Sequence, residues 1–84
     1  MEEYLLTARS VTQAQRMMQA LARNGMHAAM GRAPVGLTGS GCGYALRIQG
    51  RQAAEEAAAL LRGLALAPLR IFVRQGHGYS EVEL

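Results

Sequence analysis

Two stretches of helical hydrophobic period, each closed by a glycine and flanked on both sides by a strand-like run, constrain this chain more than any other feature. The first run, residues 4 to 9, reads Tyr-Leu-Leu-Thr-Ala-Arg and has the apolar content of a strand. Ser10-Val11-Thr12-Gln13 follows as a capping box, in which serine and glutamine satisfy each other's end of the backbone. Val11, Ala14, Met17, Met18, Leu21 and Ala22 recur at helical spacing, and Asn24-Gly25 closes the helix. Met26 to Arg32 reads as a second strand, stopped by Pro34. Beyond a glycine-rich loop, Tyr44 to Gln49 alternates large apolar with small or polar side chains, the period of a half-buried strand. A second helix from about Arg51 to Arg62 is expected to bury Ala53, Ala57, Leu60, Leu61 and Leu64, with Gly63 as its cap. Leu69 to Arg74 forms the last strand. Leu69, Ile71 and Val73 share one face, and Phe72 lies between Arg70 and Arg74 on the other, on what reads as a solvated edge.

The order βαββαβ predicts an α+β, ferredoxin-like two-layer sandwich, an antiparallel sheet with two helices on one face. One domain takes residues 1–75, and 76–84 are expected to form a loosely ordered tail. With 84 residues there is no room for a second domain, while an apolar content of 50 % suffices for a core. Arg62, Gly63 and Pro68 interrupt the apolar runs well short of the roughly 18–20 residues of a membrane span. The acidic start, Met1-Glu2-Glu3, is unlike a signal peptide. The expectation is a soluble, cytoplasmic protein with no membrane partner, and its uncovered sheet face makes a homodimer reasonable.

Nine arginines and six glutamates supply all the side-chain charge, without lysine or aspartate. Glu2, Glu3, Glu81 and Glu83 sit at the chain ends, so residues 4 to 80 set nine arginines against Glu55 and Glu56, a net +7. Guanidinium groups bind oxyanions in a fixed fork, which points to an anionic partner. A single cysteine, Cys42, excludes an internal disulfide and a zinc site of several thiolates. No aspartate exists to complete a triad, and His27 and His77 are the only imidazoles. Neither a metal nor a cofactor is expected. Hydrolase and metalloenzyme chemistry lack their parts, which leaves a one-thiol protein or a binding module.

The sandwich topology sets the start of the third strand between the ends of the first two, beside the start of the first helix. Cys42 and its neighbours Gly41 and Gly43 are thereby expected near Ser10, Arg9 and Arg32. A helix N-terminus and guanidiniums favour the thiolate, and flanking glycines leave room for a reagent and for backbone N–H groups turned toward an anion. His27 and His77 fall on the opposite edge, which argues against a Cys–His pair.

The stretch Pro34-Val35-Gly36-Leu37-Thr38-Gly39-Ser40-Gly41-Cys42-Gly43-Tyr44-Ala45-Leu46-Arg47-Ile48 resembles the central motif of a family of small proteins described as putative selenium/sulfur carrier-like. The likeness extends over about residues 4 to 74. Val35 departs from the family pattern, which sets an arginine after the proline. The resemblance implies that Cys42 is the sulfur- or selenium-accepting thiol and Gly43 the glycine after it, with Pro34 and Thr38 as positions of a Ser/Thr-bearing loop; Ser40 in that loop is a further candidate binding residue. It further implies donor and acceptor proteins as partners, and a carrier rather than a turnover enzyme.

Two other classes compete with it. RNA-recognition modules share the βαββαβ order, and Cys42 to Gln49 overlays their third-strand signature superficially. Cys42 replaces its cation, while Leu46 and Gln49 replace stacking aromatics. With three tyrosines, one phenylalanine and no tryptophan there is little to stack bases on, which argues against nucleic acid. The alternative is a regulatory or assembly module that binds an anion or a second copy of itself without thiol chemistry.

Overall fold

The computed structural model describes residues 1–34, 37 and 43–84. Along the chain run β1 (Glu3–Thr7), α1 (Val11–Arg23), β2 (Ala29–Arg32), β3 (Tyr44–Gln49), α2 (Arg51–Gly63), β4 (Ile71–Gln75) and β5 (Gly78–Glu81). The five strands form one antiparallel sheet in the order β2-β3-β1-β4-β5. The first four strands and two helices are the ferredoxin-like α+β arrangement that the βαββαβ order predicts. α1 packs on β2 and β3, and α2 on β1 and β3.

Period-2 alternation in β1 divides its side chains between two cores. Tyr4 and Leu6 join Leu46, Ile48, Ile71 and Val73 beneath the helices. α1 contributes Ala14, Met17, Ala20 and Leu21, while the expected Val11 and Ala22 are exposed and Met18 is half-buried. α2 buries Ala54, Ala57, Ala58 and Leu61, one position round from the expected stripe. Ala53 and Leu64 are exposed, and Leu60 is half-buried. The reason is the exit of α2: Gly63 is still helical and Leu64 is the cap, so Leu64 leaves the helical face that would have buried it.

Two further expectations are corrected. Residues 76–84 are not a loose tail, because Gln75 and Gly78 open a hairpin that pairs β5 with β4. Val82 donates its N–H to the Ile71 carbonyl at 2.9 Å, and Val82 and Leu84 pack against the main core. Phe72 is not on a solvated edge either; it is 5 % exposed. With Leu5 and Ala45 it forms a second cluster on the helix-free face, against which Ala33, Leu37 and Tyr79 pack.

Candidate functional site

The end of β1, the start of β3 and the end of β2 meet at one edge of the sheet. Thr7 pairs with Ala45 and Arg32 with Tyr44. Ala8 donates its N–H to the Tyr44 carbonyl at 3.4 Å, and Ala33 donates to the Gly43 carbonyl at 2.7 Å. α1 starts at this same edge. Ser10, in an extended conformation, accepts the Gln13 N–H on its Oγ at 3.0 Å, as the capping box requires. The return contact reaches one residue further than the motif predicts: Gln13 Oε1 accepts from the Arg9 N–H at 2.5 Å. Gln13 Nε2 also donates to the Ala67 carbonyl at 3.2 Å, which ties the start of α1 to the connection that leads into β4.

The fold thus brings Arg9, Ser10, Arg32 and Gly43 to one edge from three separate stretches of sequence. Cys42, Gly41, Thr38 and Ser40 lie outside the described residues; Cys42 immediately precedes Gly43 in the chain. Gly43 has φ 79°, and a β-carbon there would meet nothing within 4 Å. Its glycine therefore answers a backbone demand rather than a crowded site, and another L-residue would cost about 1–2 kcal/mol.

The edge is electropositive. Arg9 and Arg32 are exposed and form no ion pair among the described residues. The positive end of the α1 dipole adds to them. The Arg32 guanidinium lies 5.6 Å from the Tyr44 ring centroid, a cation–π contact of about 0.5–1 kcal/mol that holds it beside the start of β3.

Leu37 is the residue that sequence reasoning missed. Its N–H donates to the Pro34 carbonyl at 3.2 Å, and its side chain packs on the Leu5, Ala45 and Phe72 cluster. Leu37, five residues before Cys42 in the chain, is thereby held against the helix-free face. A lone leucine among glycines carries no period that could have signalled this.

The histidines stand at the other edge. His27 precedes β2, and His77 lies in the β4–β5 turn. His27 lines a groove of about 620 Å³ with Glu3, Gln49, Met26, Ile48 and Ala53, across the sheet from Gly43. No helix among the described residues is long and apolar enough to cross a membrane.

A family model described as putative Se/S carrier protein-like matches residues 3–73, which takes in both strand–helix–strand halves and the Cys42 segment. No curated protein and no solved structure matches the chain.

Proposed function

The chain belongs to the Se/S carrier protein-like family, and from that premise we propose that it carries sulfur or selenium on Cys42 between a donor and an acceptor protein. The family match carries the reading, because it spans the one thiol in the sequence. The surroundings of Gly43 support it. A thiolate and the persulfide or perselenide made from it are anions, and this edge offers an α1 N-terminus and the guanidiniums of Arg9 and Arg32.

The transfer needs no oxidant. The Cys42 thiolate attacks the outer sulfur of a donor persulfide, which forms a new S–S bond at Cys42. The donor's own S–S bond breaks, and the donor sulfur leaves as a thiolate that takes up a proton. An acceptor thiolate then attacks the outer sulfur on Cys42 in the same way and restores the Cys42 thiolate. Selenium in the outer position follows the same balance.

The test is the rate of Cys42 alkylation against pH, followed by intact mass, with a polysulfide incubation in parallel. A reactive thiolate well below the unperturbed cysteine pKa of about 8.5, together with one added sulfur that dithiothreitol removes, is the expected result. A thiol that reacts only after the protein unfolds overturns the reading. Cys42→Ser is expected to take up no sulfur while it keeps the fold.

A further inference from the structure

Charge is divided between the two flanks of the molecule. From Tyr4 to Ala54 the sequence contains no carboxylate side chain, and α1, β2 and β3 all lie within that stretch. Arg9, Arg16 and Arg23 stand seven residues apart. Arg16 and Arg23 therefore share one stripe of α1, two turns or about 10.5 Å apart along its axis. Arg32 continues the patch. It pairs in register with Tyr44, whose ring packs toward the helix-side core, so Arg32 stands on the same face of the sheet as α1. All four arginines are exposed and form no ion pair among the described residues.

Glu3 and Glu56 border this flank only at the Gly25–Ala29 groove, at the sheet edge away from Gly43, and most of the glutamates are already engaged. Glu55 pairs with Arg51 at 3.2 Å and Glu81 with Arg70 at 3.5 Å, while Glu3 lies 3.9 Å from Arg74. Glu56 accepts from Gln52 and Glu2 from the Tyr4 hydroxyl. One flank is internally neutralised; the α1–β2 flank keeps its charge for something outside the chain.

We propose that this flank, Arg9, Arg16, Arg23 and Arg32, is a docking surface for an acidic protein, and that docking there sets the partner against the edge that holds Gly43. A row of cations steers an anionic partner and is screened by salt. A single-stranded polynucleotide fits the flank poorly. Tyr4 and Phe72 are buried, Arg32 covers Tyr44, and Tyr79 lies on the far side of the sheet, so no exposed ring is offered for base stacking. The choice of a protein as the polyanion rests on the carrier reading, since a carrier must meet protein donors and acceptors.

The experiment is a backbone amide chemical-shift titration of the whole protein with a short poly-glutamate peptide at low salt. A short DNA duplex of equal charge is the comparison. The expected result is shifts confined to residues 9–32 and 43–44, reversed by added salt. Arg16→Glu with Arg23→Glu should weaken the peptide at least tenfold without loss of helical circular dichroism. Arg74→Gln, on the neutralised flank, should leave binding unchanged. Shifts spread over both flanks, binding unaffected by the double variant, or equal or tighter binding of the duplex each overturn the proposal. Cys42→Ser should bind the peptide like the parent chain, so docking and sulfur uptake fail or succeed separately.

Discussion

At Ala65 a β-carbon sits where the chain turns left-handed. The two helices end by the same device, with and without glycine. After α1, Gly25 at φ 72° donates to the Ala22 carbonyl at 3.1 Å, and Met26 donates to Leu21 at 2.9 Å. After α2, Ala65 at φ 60° donates to Arg62 at 3.2 Å, and Leu66 donates to Leu61 at 2.8 Å. Both are Schellman closures, and only the first has the residue that adopts this conformation without steric cost. An L-residue with a β-carbon loses about 1–2 kcal/mol there, partly offset because glycine has more freedom to lose on folding. Ala65→Gly is therefore expected to raise stability by about 0.5–1 kcal/mol, read as a higher urea midpoint at constant slope. Gly25→Ala should lower it by a similar amount, since a β-carbon at Gly25 meets nothing within 4 Å and the cost is purely conformational. If both variants move the midpoint in the same direction, the backbone account is wrong. The sequence marks this closure at Gly25 and misplaces it at Gly63, because glycine is the visible sign of a left-handed cap and the second helix dispenses with it.

Among whole elements, both helices and the first four strands are legible in the sequence, and only β5 among the described elements is not. α1 carries an amphipathic stripe and a capping box, and it forms over Val11–Arg23 where both signals agree. α2 is rich in alanine, whose small side chains leave the stripe ambiguous by one position. Its register on the sheet is settled by packing, which selects Ala54, Ala57, Ala58 and Leu61. β5 is the element that sequence reasoning lost, since Gly76-His77-Gly78 followed by Tyr79 looks like loose chain. The same residues are a two-residue hairpin turn between Gln75 and Gly78. Beyond it, Arg62 holds the Leu84 carbonyl at 2.5 Å, so this segment is fastened at both ends. Truncation after Gln75 would remove the β4–β5 ladder and the half-buried Val82 and Leu84, and would leave β4 as an open edge. A loss of at least about 2 kcal/mol is expected from the apolar area alone. Unfolding at the parent urea midpoint would contradict this and restore the picture of a dispensable tail.

Topology does at the scale of the whole molecule what no local motif could do. Once the order βαββαβ is read, strand pairing alone dictates that the end of β1, the end of β2 and the start of β3 share an edge. Arg9, Ser10, Arg32 and Gly43 could thus be grouped from sequence although they span more than thirty positions. The helix-free face is less legible in this way, because Leu37, which packs on its Leu5, Ala45 and Phe72 cluster, belongs to no periodic element. That cluster joins Leu37 and β4 in one packing unit, while the helix-side core is separated from it by the sheet. The two faces should therefore respond differently to paired deletions. Leu37→Ala and Phe72→Leu each remove part of one small cluster and should cost about 1–2 kcal/mol apiece. Together they should cost less than their sum by at least about 0.5 kcal/mol, because the first deletion has already loosened what the second removes. Leu37→Ala combined with Leu60→Ala, half-buried on α2 across the sheet, should add within about 0.5 kcal/mol. Urea midpoints of the three single and two double variants, against the parent chain, decide the matter. Additivity in both cycles would mean that Leu37 does not lean on the Phe72 cluster, and the helix-free face would then be held by Leu5, Ala45 and Phe72 without it.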